Sequence, residues 1–179
     1  WDGGPPIPTL FPPRSLCGSK EVMMNINYEK AEMMDSKQFS FGALLVTAVK
    51  LDTQLDKALK EFDLTSKQWF LMVILDTMFE SAPTLNELAK EMGSSYQNVK
   101  QVALKLKEKN MIDISKDPKD ARALRIKSTP ESKEIWDKLI PTSIKFMDSF
   151  FKNIEDKDLD VLKKVLLQLM FNLNEMESQ

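Results

Sequence analysis

The run from Thr84 to Lys127 constrains this chain more than any other stretch, because its hydrophobic period changes from helical to alternating within one short segment. Leu85, Leu88, Ala89 and Met92 recur at three- and four-residue steps behind Thr84 and Glu87, a pair able to close a capping box. Gly93 follows, at the position that tolerates a left-handed backbone. Ser95 is a good N-cap for the next helix, whose buried stripe is Val99, Val102, Ala103 and Leu106. Its outer face carries Tyr96, Gln97, Asn98, Lys100, Gln101 and Lys105, which puts hydrogen-bonding groups at the N-terminal end and positive charge further along. After Asn110, Ile112 and Ile114 alternate with Asp113 and Ser115, while Leu124 and Ile126 alternate with Arg125 and Lys127, as two short strands with one face inward should. The residues between them, 116–122, form a turn with a charged tip. Two helices joined by a tight turn and followed by a β-hairpin make a winged helix-turn-helix pattern.

Charge is distributed unevenly around that segment. Residues 90–127 hold ten Lys/Arg against five Asp/Glu, a net charge of +5, whereas the whole chain sums to −2, so the remainder carries −7. An acidic body keeps such a chain soluble while one cationic face meets phosphates, whose neutralisation releases counterions. The length of 179 residues sets one domain as the prior, and 42% hydrophobic residues supply a core without disulfides or structural metal. There is no histidine, which excludes imidazole-based triads, His-ligated zinc and His-based pH switching. The single cysteine, Cys17, permits neither an internal disulfide nor a Cys-rich metal site and fits a reducing compartment, with the cytoplasm as default. Five glycines cannot assemble a Gly-rich phosphate cradle. No run approaches the roughly 18 apolar residues of a membrane span, and the first residues lack a basic start followed by an apolar core, so neither membrane insertion nor export is expected. With no nucleophile–base pair, metal cluster or cofactor loop, no cofactor is expected and an enzyme is the weakest reading.

Residues 1–22, with Pro5, Pro6, Pro8, Pro12 and Pro13, read as an extended tail. Its contrast with the rest suggests a foreign leader, with natural translation starting at Met23 or Met24; a functional N-terminal arm is the competing reading. A long amphipathic helix is expected over 38–62, where Phe41, Leu44, Leu45, Ala48, Leu51, Leu55, Leu59 and Phe62 recur at helical spacing. Thr65 with Gln68 opens a second helix carrying Trp69, Met72, Leu75, Met78 and Phe79, which Ser81-Ala82-Pro83 ends. Thr129 before Pro130 starts another through Ile135, Trp136 and Leu139, which Pro141 is expected to kink or interrupt before Ile144, Met147, Phe150 and Phe151 continue its apolar face. In the last helix Leu159, Leu162, Leu166, Leu169, Leu173 and Met176 are spaced 3, 4, 3, 4, 3, an a/d stripe able to seat against a partner helix. The acids at 156, 158 and 160 do not make a calcium loop, since Val161 and Leu167 stand where Gly and Glu are needed. The expected fold is mainly α with a small two-stranded β-wing: a lobe over 65–128 between helices at 38–62 and 129–176.

Several stretches in this order and spacing carry a resemblance. They are Leu64-Thr65-Ser66-Lys67-Gln68-Trp69, Leu85-Asn86-Glu87-Leu88-Ala89-Lys90-Glu91-Met92-Gly93, Asn98-Val99-Lys100-Gln101, Leu106-Lys107-Glu108-Lys109-Asn110-Met111-Ile112 and Asp117-Pro118-Lys119-Asp120-Ala121-Arg122. Over roughly residues 38–175 the chain resembles the MarR family of bacterial transcription regulators. That resemblance implies homodimers whose N- and C-terminal helices interlock, with two winged lobes reading a pseudo-palindromic operator in double-stranded DNA. It also implies small, often aromatic or anionic effectors bound near the junction of dimerisation region and lobe. By position it places Ser95, Tyr96, Gln97, Asn98, Lys100 and Gln101 on the recognition helix, with Lys105 toward phosphates. Asp120 and Arg122 match the acidic-basic wing motif, with Arg122 as a minor-groove reader and Lys119 beside it. Phe41, Leu44, Leu45, Leu159, Leu162, Leu166, Leu169 and Leu173 become the dimer interface. Three positions depart from the family pattern: Ala121 and Tyr96 stand where basic residues are common, and Asn110 replaces a frequent glycine.

Rival readings remain at this point. Arg122 has an alternative as an ion-pair partner of Asp120 or Asp117. The methionines and phenylalanines suit an adaptable effector pocket or, more plainly, core. A winged helix used for protein contacts, without sequence-specific DNA binding, is the main alternative function. Oxidant sensing by Cys17 is a minor one, since no flanking cluster lowers its pKa.

Overall fold

The computed structural model describes residue 31, residues 33–118, residue 120 and residues 122–177. The tail over 1–22 with Cys17, the starts at Met23 and Met24, and Lys119 and Ala121 in the wing lie outside the described residues. Packing divides the chain into two units, Trp1–Ala48 and Val49–Gln179. Helix α1 (Ser36–Leu59) begins in the first. There Asp35 Oδ1 accepts the N–H groups of Lys37 at 3.0 Å and Gln38 at 3.2 Å, satisfying donors that have no partner within the helix. Phe41, Leu44 and Leu45 are exposed.

The second unit contains the end of α1, a 3-10 turn (Lys60–Phe62), α2 (Ser66–Thr77), α3 (Leu85–Glu91), α4 (Tyr96–Glu108), strands β1 (Ile112–Lys116) and β2 (Leu124–Ser128), α5 (Pro130–Phe150) and α6 (Asp156–Glu177). Helix starts follow the local chemistry. Thr65 and Gln68 form one reciprocal capping box and Thr84 and Glu87 another, while Ser95 caps α4 and Thr129 caps α5 with Pro130 in its first turn. Gly93 takes φ +57° after α3, and Asn110 takes φ 57° after α4. At α2 a further, long-range cap is added: Asp56 Oδ1 accepts the Ser66 N–H at 2.6 Å, and Asp52 Oδ1 accepts the Ser66 hydroxyl.

The strands are antiparallel, with Ile112 opposite Ser128 and Ile114 opposite Ile126. The two-stranded hairpin is as expected, and it gains a contact that the sequence does not announce. Thr84 forms an antiparallel bridge with Arg125, and the Ile126 N–H donates to the Pro83 carbonyl at 3.0 Å, so the segment entering α3 supplies a third position to the sheet. α4 packs on α2, α3 and β1, and β2 touches α2 and α3. The core under them holds Leu71, Met72, Leu88, Val99, Ala103, Leu106 and Ile126, reached from α1 by Leu59 and from α5 by Leu139.

Two expectations need revision. Of the kink or interruption expected at Pro141, the interruption is absent: the helix runs unbroken from Pro130 to Phe150. Proline forfeits one backbone bond there. Leu139 in the core just before it, and Thr142 donating to Glu61 Oε1 at 3.3 Å just after it, hold both flanking turns. Met78, the residue that follows the end of α2 at Thr77, is 59% exposed rather than part of the buried apolar face.

The Thr84–Glu87 box has a pH consequence. The Thr84 backbone N–H, at 2.7 Å, and then its hydroxyl hold the Glu87 carboxyl below the usual carboxylate value, with the nearby Arg125 cation acting in the same direction. A carboxylate depressed by folding stabilises the folded state above its unfolded-state pKa, about 4.3, and that contribution is lost as pH falls through the folded value. Glu87→Gln, which keeps the capping oxygen but not the charge, is expected to lower chemical-denaturation stability at neutral pH and to converge on the wild-type chain in acid. Equal losses at neutral and acid pH would contradict this account.

Candidate nucleic-acid interface

The outward side of α4 follows from what its inward side buries. Val99, Ala103 and Leu106 are at most 1% exposed, so the positions between them face away from the core. Ser95, Gln97, Asn98, Gln101 and Lys105 are exposed and Lys100 is half-exposed. Ser95 is at the same time occupied locally, its Oγ accepting the Asn98 N–H at 3.3 Å. Tyr96 departs from the sequence expectation. Read onto the outer face, it is half-buried and packs against the core, because it stands three residues before Val99 and so on the same helical stripe as Val99, Ala103 and Leu106. Gln101 and Lys105 also line a recess of about 270 Å³ with Asp52, Asp56, Ser66 and Lys67.

The wing turn is closed by its own carboxylates. The Asp117 N–H donates to the Ala123 carbonyl at 2.9 Å, and Asp117 Oδ1 accepts the Asp120 N–H at 3.1 Å. Asp120 Oδ1 accepts the Arg122 N–H at 2.9 Å, while the Arg122 side chain is exposed. The ion pair at the wing is made by Arg125: its Nε binds the Asp117 carboxylate and its Nη1 binds the Ala82 carbonyl. The sequence offers Arg122 for that pairing. The alternation that puts Arg125 on the outward face of β2 gave no sign of it, because a long guanidinium can reach around a strand edge.

Lys109 is likewise committed inside the lobe. Its Nζ lies 3.0 Å from Asp63 Oδ2, donates to the Asp63 carbonyl, and reaches Gln68 Oε1 at 3.5 Å. Two of the ten basic residues in the cationic segment therefore hold the structure together, and among the other described ones Lys90, Lys100, Lys105, Lys107, Lys116, Arg122 and Lys127 are left with exposed or half-exposed side chains.

Two further features flank this interface. A cleft of about 750 Å³ lies between the end of α1 and the middle of α5, lined by Lys57, Lys60, Glu61, Thr142, Lys145 and Phe146. Phe146 stacks on Phe150 with centroids 6.4 Å apart. α6 has no buried residue among those described: Leu162, Leu166 and Leu169 are 37–39% exposed, and Leu173 59%. Leu159 is half-buried. The heptad reading had passed over Val161, Val165, Met170 and Phe171, equally or more exposed, which make the apolar surface broader than a two-position seam. Among the described residues no helix is long and apolar enough to cross a membrane, and no group of three or more His, Cys, Asp or Glu is placed to hold a metal.

No family model matches the chain. A curated relative, the uncharacterized HTH-type transcriptional regulator YsmB of Bacillus subtilis, is 22% identical over 90 residues, which is 50% of this chain and 62% of that protein. The chain thus matches less than two thirds of that relative's length. Among solved structures, AbsC, a MarR-family transcriptional regulator from Streptomyces coelicolor, superposes with a TM-score of 0.68 at 23% identity, over 79% of this chain and 97% of that one. BpsR of Bordetella bronchiseptica, whose DNA binding is regulated by 6-hydroxynicotinic acid, gives a TM-score of 0.64 at 20% identity, over 73% of this chain and 98% of that one. Near-complete coverage of both solved chains gives this chain the winged-helix fold of MarR-family transcriptional regulators.

Proposed function

We propose that this chain is a homodimeric, sequence-specific double-stranded DNA-binding regulator of the MarR type, a repressor whose hold on a pseudo-palindromic operator is relieved by a small effector. The observation that carries the reading is the outer face of α4, where exposed amides and cations stand beside a wing that presents Arg122. Gln97, Asn98 and Gln101 have the donor and acceptor pair that reads adenine in the major groove, while Lys100 and Lys105 suit phosphates. Arg122 suits the narrow minor groove beside it. The likeness to BpsR supports DNA binding and its control by a small molecule.

Two half-sites are read together only when two recognition helices stand about 34–36 Å apart, one turn of DNA, so the reading requires a second copy. The apolar surface of α6, and the exposed Phe41, Leu44 and Leu45 on α1, suit that role. For the effector, the cleft with Lys57, Lys60 and Lys145 beside Phe146 suits a small aromatic anion. A ligand that binds one arrangement of the dimer better than the other shifts the spacing of the two recognition helices. Where the protein works in the cell follows from the same reading: the cytoplasm, with the DNA.

Fluorescence-anisotropy titration against a randomised duplex pool, at two salt concentrations, tests the whole. Selection of a palindromic site at dimer stoichiometry, with affinity falling steeply as salt rises, is the expected result; failure to select any sequence favours a winged helix that binds protein instead. Gln97→Ala and Asn98→Ala are expected to change base preference, each lost base contact costing about 1–3 kcal/mol, and Arg122→Ala to weaken binding. Leu166→Asp is expected to yield monomers by sedimentation and to abolish operator binding; a dimeric, tightly binding variant would remove α6 from the interface. Aromatic carboxylates are expected to release the operator from the wild-type protein, and Lys145→Ala to raise the concentration needed by about tenfold, the scale of one charge-assisted contact. Release unaltered by that substitution would place the effector elsewhere.

A further inference from the structure

We propose that Arg125 is a positioning residue for DNA binding: it ties the buried carboxylate of Asp117 to the segment ahead of α3 and thereby sets the attitude of the turn that carries Arg122. The inference rests on the DNA-binding reading above and deepens it.

A hairpin of two five-residue strands is marginal by itself, so the direction of the wing depends on what grips its base. Ser128 Oγ donating to Asp76, with Ile112 and Ile126 in the core, holds one end of it, and Arg125 supplies three contacts nearer the turn: Nε to Asp117, Nη1 to the Ala82 carbonyl, and the bridge to Thr84. Beside them is the adjacent Ile126 N–H on the Pro83 carbonyl. One side chain thus joins β2, the turn and the segment entering α3, the helix on which α4 packs.

The grip reaches Arg122 through the turn. Asp117 is 6% exposed, and a carboxylate that deep in the protein requires charged or hydrogen-bonding partners. With Oδ2 on Arg125, its Oδ1 accepts the Asp120 N–H, and Asp120 in turn accepts the N–H groups of Arg122 on its carboxylate and Ala123 on its carbonyl. Most links from Arg125 to the Arg122 backbone end on an ionised oxygen, the stronger class of hydrogen bond. A guanidinium can donate toward Asp117 and Ala82 at once in a fixed plane, a geometry lysine cannot reproduce. Because Arg125 is already engaged with Asp117, its contribution to DNA binding is the placement of Arg122 rather than a phosphate contact of its own.

Charge and placement predict opposite outcomes for two full-length variants. Arg125→Lys keeps the charge, and Asp117→Asn makes the lobe one unit more positive, so electrostatics alone leaves the first unchanged and tightens the second. Placement predicts that each weakens binding to the selected duplex by about tenfold and that the double variant loses no more than either alone. It also predicts loss of hydroxyl-radical protection at the outer minor-groove positions, with the major-groove contacts retained. Amide hydrogen exchange of Asp120, Arg122 and Ala123 without DNA is expected to be faster in both variants; should Asp117→Asn fail to fold, Arg125→Lys decides. Unchanged exchange, additive losses or tighter binding by Asp117→Asn would overturn the positioning role while leaving DNA binding intact. A wild-type chain that selects no duplex would overturn the DNA-binding reading itself, and this role with it.

Discussion

The packing of α4 is the constraint on which the lobe depends. Val99, Ala103 and Leu106 must all reach the same core, at helical spacing, against α2, α3 and β1 together. Ala103 sits at the middle of that stripe with no exposure, and its small side chain lets neighbouring helices approach closely. Once that stripe is committed, the rotation of α4 about its axis is no longer free, and the residues presented outward are determined by the helical period alone. Surface chemistry on α4 is in this sense a by-product of packing. It can vary in sequence without disturbing the fold, while the buried stripe cannot.

Local signals were legible because each depends on residues close in the chain. Thr65 with Gln68, Thr84 with Glu87, Ser95, and Thr129 with Pro130 announced four helix starts, and Gly93 and Asn110 two exits, since caps and left-handed turns need specific side chains at specific offsets. The inward alternation of Ile112, Ile114, Leu124 and Ile126 fixed the hairpin. What stayed hidden spans long separations. Asp52 and Asp56 on the start of α2, Lys109 on Asp63 and Gln68, and Arg125 on Asp117 and Ala82 are pairings that no spacing rule encodes. Tyr96 shows that helical period outranks residue character: three residues before Val99, it shares the face of the buried stripe, and its polar hydroxyl does not remove it from that face.

Those long-range pairs also change how the charge of the lobe is understood. A count over the sequence treats every lysine and arginine alike, but Arg125 neutralises the buried carboxylate of Asp117 and Lys109 is tied to Asp63 and Gln68 at the surface, whereas Lys100, Lys105 and Arg122 keep their heads in solvent. The Arg125 pair contributes to shape and is little affected by salt, because its carboxylate is close and desolvated. The solvent-facing cations act over a Debye length and are screened. A cationic surface of moderate net charge can therefore be selective, since part of its charge is used to hold the rest in place.

The condition of α6 carries a consequence for what keeps the C-terminal segment folded. A helix of 22 residues of which only Leu159 is even half-buried draws little stability from the interior of its own chain, whereas most helical stability in proteins comes from packing an apolar face. Anything that bound Leu166, Met170 and Phe171 in the folded chain would stabilise the helix by an amount that grows with the logarithm of its own concentration. The stability of the C-terminal segment would then be a property of concentration as well as of sequence.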